Sequence, residues 1–155
     1  MGREVRLVKE GWEHPRSTER DGYQPQSPGE YYQEALNDYY SELAEYTEED
    51  KKEYGTFEEY WGGKPDKLWY MPVWSDEEKT HMQMYEDTSE GTPISPVFRR
   101  DQAEEMAEWL ADNNASTMGN FTTSKEAWLK MIEGGGYAVS MVMTNGVMMS
   151  GVDAL

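Results

Sequence analysis

The chain of 155 residues contains no cysteine. This absence excludes a disulfide framework, a thiolate nucleophile and any metal site with cysteine ligands. No apolar run approaches the ~18 residues that a membrane-spanning helix needs. The first residues, Met1-Gly2-Arg3-Glu4, also lack the apolar segment of a signal peptide. We therefore expect no membrane span, no leader peptide and no disulfide-stabilised scaffold.

Basic residues are scarce, with 14 Lys and Arg against 31 Asp and Glu, which gives a formal net charge of −17. Such an excess of negative charge repels phosphates and argues against direct binding to nucleic acid. Aromatic residues are plentiful, because the chain has 6 Trp, 11 Tyr and 3 Phe. These rings supply material for a core, so we expect a folded protein of one-domain size despite the charge.

Residues with obvious catalytic or metal-binding chemistry are few. The two histidines, His14 and His81, show no ligand spacing such as H-x-x-x-H. No G-x-S-x-G, P-loop or G-x-G-x-x-G motif occurs, and Ser89, Ser95 and Ser140 have no identifiable partner base. We predict a non-enzymatic protein with no catalytic residue, metal site or cofactor. An unrecognised small enzyme, which would depend on one of the histidines, remains the third hypothesis.

Alternating apolar residues predict several strands. Residues 3–8 alternate weakly, as a short edge strand does, and residues 80–86 alternate clearly. The dipeptide Asn145-Gly146, which favours a type I′ turn, separates the apolar segments 137–144 and 147–152. A C-terminal β-hairpin is therefore expected.

Helical periodicity is clearest in residues 30–46 and 102–113. Thr47 can cap a further turn, and capping-box spacings begin at Thr56 and Thr123. The predicted fold is α+β, a small antiparallel sheet with a C-terminal hairpin packed by three or four helices. We expect a single domain, 1–155, with a strand and irregular arm in 1–29, an acidic helical segment in 30–63 and a mixed helix and strand core in 64–155.

Acidic residues are concentrated in residues 27–63, which carry 11 acids and two lysines, a net charge of −9. At 100° per residue, one continuous helix would place eight of these carboxylates within an arc of about 140°. They are Glu30, Glu34, Asp38, Glu42, Glu45, Glu48, Glu49 and Glu53. The apolar residues Tyr32, Leu36, Tyr39, Tyr40, Leu43 and Tyr46 would lie on the opposite side and pack.

Two hypotheses follow from this acidic ridge. In the first, it is a solvated face that keeps an acidic protein in solution. In the second, it imitates a nucleic-acid backbone and occupies the basic groove of a nucleic-acid-binding protein. A second acidic stretch would help the contact, and it consists of Asp101, Glu104, Glu105 and Glu108.

Two apolar clusters are further candidates for a partner surface. Trp61, Trp69, Tyr70 and Trp74 fall within fourteen residues and would make a binding hot spot if they were exposed. Met141, Met143, Met148 and Met149 are concentrated in the hairpin, and methionine serves both cores and adaptable interfaces. For both clusters we expect the core role.

Four segments carry a resemblance to known proteins: residues 12–15, 56–62, 89–98 and 140–142. The chain resembles a group of small acidic proteins of bacteriophages and prophages, which has no assigned activity and supplies no functional residue. The resemblance implies a phage accessory protein in the host bacterial cytoplasm. Compact acidic phage proteins include inhibitors of host defence, both anti-restriction and anti-CRISPR proteins.

The leading hypothesis is therefore a phage inhibitor that binds a basic, nucleic-acid-binding host defence protein, such as a nuclease complex. The alternative is a phage structural or assembly accessory that binds another phage protein through its aromatic surface.

Overall fold

The computed structural model describes residues 2–86 and 91–155. Ser89 and Glu90, which contribute to the resemblance above, lie outside the described residues. Ser89 was also one of the serines considered as a nucleophile. The chain divides into two compact units, which we call the sheet unit (Met1–Pro25 and Trp74–Leu155) and the helical unit (Gln26–Val73). Helices and antiparallel sheets together confirm the predicted α+β class. The single domain stays a prediction.

The main sheet belongs to the sheet unit and is antiparallel. Its strands are β1 (Arg3–Val8), β2 (His81–Glu86), β3 (Thr92–Pro93), β4 (Phe98–Arg99) and β5 (Tyr137–Ala138). Strand β1 pairs with β2 along its whole length, from Arg3 opposite Glu86 to Val8 opposite His81. The short strand β5 pairs with the other side of β1, and β3 and β4 both pair with β2.

The expectation that residues 3–8 form an edge strand is wrong, because β1 has partners on both sides. Its two arginines weaken the apolar alternation, yet both are buried. Arg3 Nε donates to the carbonyl oxygen of Ser116 at 2.8 Å, and Arg6 Nε lies 2.6 Å from a carboxylate oxygen of Glu4. Charges that are paired inside the fold can occupy a central strand, and hydropathy does not reveal them.

Two helices, α4 (Ala103–Asp112) and α5 (Lys125–Glu133), pack together beside the sheet. Helix α5 begins at Ser124, whose hydroxyl accepts from the Ala127 N–H at 3.2 Å, so the cap is one residue later than the predicted Thr123. The buried core of this unit combines residues of β2, α4, α5 and the C-terminal region. Its members are Met82, Met84, Met106, Ala107, Leu110, Trp128, Met131, Ala138 and Val152.

The C-terminal hairpin is confirmed, as β6 (Met141–Thr144) paired with β7 (Val147–Ser150). Asn145 and Gly146 have φ values of 52° and 77°, the left-handed pair that a type I′ turn requires. The first strand of the hairpin is shorter than the predicted 137–144, because residues 137–138 pair with β1 in the main sheet instead.

The expected core role of the hairpin methionines is wrong for two of them. Met143 is 66% exposed and Met148 is 57% exposed. These two residues pair across the strands, so their side chains share one face of the hairpin. In the sheet unit, buried methionines lie instead on β2, α4 and α5.

The helical unit contains α1 (Glu30–Glu45), α2 (Glu48–Tyr54), α3 (Phe57–Trp61) and a 3₁₀ turn at Lys67–Trp69. Tyr46 is extended, with φ −77° and ψ 117°, so α1 ends there. Thr47 then begins α2 with a complete capping box, in which Thr47 and Asp50 each accept the other's backbone N–H. The predicted continuous ridge is therefore wrong beyond Glu45.

The apolar side of α1 is only partly covered. Tyr39 is 8% exposed and packs against Phe57 of α3, with ring centroids 5.3 Å apart. Tyr40 and Leu43 are exposed, contrary to the prediction that this side packs as a whole. The helical unit therefore presents large apolar side chains at its surface as well as carboxylates.

Candidate partner-binding surface

The acidic face of α1 consists of the five predicted carboxylates that precede the break. Four of them are exposed and Glu42 is half-buried. None of the ion pairs among the described residues involves a carboxylate of α1. The acidic face is Glu30, Glu34, Asp38, Glu42 and Glu45. Because no basic side chain in the described ranges pairs with these carboxylates, the face is left free to attract a cationic partner.

The C-terminal end of the acidic face is electrostatically unfavourable. Glu42 and Glu45 lie in the last turn of α1, which contains no basic residue. The carbonyl groups at a helix C-terminus already carry partial negative charge, so an acid there costs roughly 0.3–1 kcal/mol at low ionic strength. A basic partner would relieve this repulsion.

The predicted ridge residues beyond the break have a different setting. Glu48 and Glu49 lie in the first turn of α2, where the helix dipole favours an acid. Glu53 lies near the other end of the same short helix and is exposed. These three carboxylates add to the negative charge of the helical unit, but they belong to a separate helix from the acidic face.

A cavity of about 200 Å³ lies among α1, α2 and α3. It is lined by three carboxylates and three tyrosines, Glu42, Glu45, Asp50, Tyr46, Tyr54 and Tyr60. The rings form a row, since the Tyr60 centroid is 5.4 Å from that of Tyr46 and 5.0 Å from that of Tyr54. We call this site the tyrosine–carboxylate pocket.

The pKa values of two pocket tyrosines report the local negative charge. Partial burial, followed by the Asp50 carboxylate, raises the pKa of Tyr46. The neighbouring Glu53 carboxylate is the main cause that raises the pKa of Tyr54. The Tyr46 hydroxyl is also held in place, because it donates to the carbonyl oxygen of Gly55 at 2.8 Å. The pocket is therefore lined by neutral rings in a field that favours a cation.

The second acidic stretch belongs to the sheet unit, where favourable local contacts account for the presence of three of its four acids. Asp101 accepts from Arg99 Nε at 3.2 Å, and Glu104 and Glu105 lie in the first turn of α4. Acids are favourable in that turn. Glu108 is exposed one helical turn after Glu104.

The sheet unit also has a cleft of about 570 Å³ that Asp101 helps to line. Its wall is mixed, with apolar Val5 and Met82 beside the charged Arg100 and Glu133. Charges of both signs sit on this lining, so the cleft lacks the uniform negative character of the acidic face.

The aromatic cluster does not serve the sheet as a core. Trp61 is 42% exposed and stacks on Phe57 of its own helix, with the rings 10° apart in plane. Trp69 is 50% exposed. The core expectation is therefore wrong for these two tryptophans, which present apolar surface on the helical unit.

The other two rings of the cluster are half-buried and have different neighbours. Tyr70 packs on Tyr32, with centroids 5.2 Å apart, within the helical unit. Trp74 contacts Trp12 edge-on at 5.0 Å, within the sheet unit. Closeness in sequence thus does not gather the four rings around one common neighbour.

His14 is buried in a network of hydrogen bonds. Its Nε2 lies 2.6 Å from the carbonyl oxygen of Gln24, so this nitrogen carries a proton and donates. Its Nδ1 lies 2.8 Å from the hydroxyl of Tyr85, which also accepts from Trp12 Nε1 at 3.2 Å. Burial lowers the pKa of His14 and raises that of Tyr85 to about 12. The network ties the arm to β2.

His81 lies at the start of β2, half-buried, with its Nδ1 2.8 Å from the hydroxyl of Thr80. The Ser95 hydroxyl donates to the carbonyl oxygen of Pro96 at 2.8 Å.

Among residues 2–86 and 91–155, no three His, Asp or Glu side chains are placed to hold a metal ion. In the same residues, no helix is long and apolar enough to cross a membrane.

Sequence reasoning missed the tyrosine–carboxylate pocket, although a signal for it was present. Thr47 with Asp50 has the spacing of a capping box, and a cap ends one helix as it begins the next. With that break, Tyr46 joins Tyr54 and Tyr60 around one cavity. A single helical wheel drawn through residue 53 hides this arrangement.

Comparisons of the chain with protein-family models, with curated proteins and with solved structures found no match.

Proposed function

We propose that this chain is a non-enzymatic phage inhibitor that binds a basic, nucleic-acid-binding defence protein in the cytoplasm of the bacterial host. The observation that carries the proposal is the acidic face of α1, whose five carboxylates form no ion pair with any basic side chain that the structure describes. Two of them lie where the helix dipole opposes them. The phage context comes from the resemblance described above.

The mechanism is competition for a basic groove. Residues four apart on a helix are separated by about 6 Å along its axis, so Glu30, Glu34, Asp38 and Glu42 form a regular row of negative charges. A groove that binds nucleic-acid phosphates would accept such a row and be closed to its own ligand. Association would be steered by charge and would weaken as salt is added.

Charge reversal tests this proposal. The variant with Glu34, Asp38, Glu42 and Glu45 all changed to Lys should lose a basic partner that the wild-type chain captures from bacterial lysate. The matched control reverses four exposed acids that follow β1, Glu10, Glu13, Glu19 and Asp21, and makes the same change in net charge. The control should keep the partner. Equal capture by both variants would contradict the assignment of the acidic face.

The acidic stretch on α4 is a proposed contributor to the same partner contact. Its four members can be reversed separately, and we expect a smaller loss because Asp101 already pairs with Arg99. If nothing is captured even at low salt, the acidic face is a solvated surface and the proposal fails.

Exposed tryptophans favour a second candidate, a phage structural or assembly accessory. Trp61 and Trp69 present large apolar surface on the helical unit, and tryptophan is enriched at interface hot spots. Changing both to alanine should then abolish binding of a phage protein that resists high salt. The third candidate, an enzyme, would need a catalytic role for His14 or His81, and the hydrogen bonds of buried His14 favour a structural one.

A further inference from the structure

We propose that the tyrosine–carboxylate pocket binds the guanidinium group of an arginine side chain. The inference deepens the proposed function and rests on it for the class of partner, because it names the chemical group by which a basic protein would be anchored. The pocket is built within the helical unit alone, from α1, α2, α3 and the residue that joins α1 to α2.

Charge complementarity is the first argument for a cation. Glu42 and Glu45 line the pocket from the last turn of α1, against the helix dipole, and neither forms an ion pair with residues 2–86 or 91–155. Asp50 faces it from α2, and its carboxylate is already fixed because one oxygen accepts the Thr47 N–H at 2.9 Å. Three carboxylates, one of them held in a fixed orientation, thus line a single cavity.

The tyrosine rings favour a guanidinium over a compact cation. Tyr54 and Tyr60 line the cavity and are each 49% exposed, so neither ring is covered by the rest of the chain. A guanidinium is planar and weakly hydrated and stacks on aromatic faces, whereas an ammonium is compact and strongly hydrated. The same pairing occurs inside this chain, where the Arg16 guanidinium carbon lies 4.0 Å from the Tyr23 ring centroid.

The dimensions also suit a side-chain head group. A cavity of about 200 Å³ is much larger than the ~10–15 Å³ needed for one water molecule. A guanidinium that lies on the rings can direct its N–H donors to carboxylates, in the planar, charge-assisted geometry that arginine forms with acids. Ring stacking and carboxylate pairing would act on the same group.

The test compares two peptides of equal charge, octa-arginine and octa-lysine, each titrated into the full chain at low salt and followed by fluorescence anisotropy. We expect the wild-type chain to prefer the arginine peptide by about two- to fivefold, the range of a solvent-exposed cation–π contact. Tyr54→Leu should remove the preference. Tyr31→Leu, which changes an exposed tyrosine near the far end of α1, should keep it.

A second pair of variants avoids the rings, in case Tyr54→Leu disturbs α2. Glu42→Gln with Glu45→Gln should weaken arginine-peptide binding more than Glu30→Gln with Glu34→Gln, although the charge change and the helix are the same. Equal binding of the two peptides by the wild-type chain, or equal losses from the two glutamine pairs, would overturn the inference.

Failure of the pocket and failure of the proposed function give different results. If the pocket fails, capture of a basic host protein remains sensitive to salt and to reversal of the acidic face, but not to Tyr54→Leu. If the proposed function fails, no host protein depends on the acidic face, while the arginine preference and its loss in Tyr54→Leu still stand.

Discussion

His14→Ala should unfold the sheet unit at a distinctly lower temperature, because the imidazole satisfies two buried groups. His14 is 7% exposed and Gln24 is 5% exposed. Without the ring, the Gln24 carbonyl oxygen loses its donor at 2.6 Å and the Tyr85 hydroxyl loses its partner at 2.8 Å. The arm would then lose its attachment to β2.

The magnitude follows from these contacts. Each buried polar group left without a partner costs about 1–3 kcal/mol. Tyr85 keeps a second acceptor, the side-chain oxygen of Gln83 at 3.2 Å, so the lower half of the combined range applies. We expect a loss of about 3 kcal/mol in the free energy of unfolding. For a protein of this size, that loss corresponds to a fall of about 6–12 °C in Tm.

The same histidine predicts a pH dependence. Burial is the main cause that lowers the pKa of His14, and the Arg6 guanidinium lowers it further, while the hydrogen bond to Gln24 opposes them. The unfolded chain, with an ordinary histidine pKa of 6.5, therefore binds the proton more readily than the folded chain. The contribution of neutral His14 to stability is complete above pH 6.5 and is lost as the pH falls toward the lower folded pKa.

Thermal unfolding by circular dichroism between pH 7.5 and 5.5 checks both statements. The Tm of the wild-type chain should fall with pH, and the gap between wild type and His14→Ala should narrow. His81→Ala, which removes the half-buried histidine of β2, serves as the control. In a chain that carries this change, the Tm loss caused by His14→Ala should still narrow as the pH falls. A Tm change below about 2 °C for His14→Ala, or a Tm gap that does not vary with pH, would show that His14 does not hold this network together.

Three further substitutions test the fold by thermal unfolding. Gly29→Ala should cost roughly 1–3 kcal/mol or more, because a Cβ would overlap the Met71 carbonyl oxygen. The control Gly63→Ala should be nearly neutral, because no atom lies within 4 Å of the added carbon. Similar Tm values for the two variants would contradict this expectation. Thr47→Ala should cost about 1 kcal/mol by removing the cap of α2, and an unchanged Tm would argue against the break at Tyr46. Met148→Ser should change stability by less than about 0.5 kcal/mol, since Met148 is 57% exposed. A large loss would mean that this face of the hairpin is packed against other residues.

Local signals in the sequence were sufficient for most of the elements. The Asn145-Gly146 turn, the Thr56 cap and the helix at 102–113 depend on neighbouring residues alone, and each is present. The central position of β1 was not predictable in this way, since it depends on pairing with β5, where Arg3 lies opposite Ala138. The burial of Arg3 also depends on a distant residue, because Arg3 donates to the carbonyl oxygen of Ser116, 113 residues away. Burial of a paired charge is a tertiary property that periodicity does not report.

The candidate surface was likewise predictable only where it depends on local geometry. Five carboxylates on one side of α1 follow from helical geometry, and they are where the wheel places them. The exposure of Trp61, Trp69 and Met143 does not follow from composition, because aromatic and methionine side chains are equally suited to cores and interfaces. The tyrosine–carboxylate pocket required the chain to turn at Tyr46, which brings residues of three helices together.

The proposed function requires that a basic host protein bind this chain through charge and in competition with nucleic acid. The most direct measurement is the dissociation constant of the captured protein for this chain at several salt concentrations, with duplex DNA as competitor. We expect an affinity that falls about tenfold or more between low and moderate salt, mutual exclusion with DNA, and loss of binding in the four-lysine variant of α1. An affinity that is independent of salt, or simultaneous binding of the chain and DNA, would contradict it.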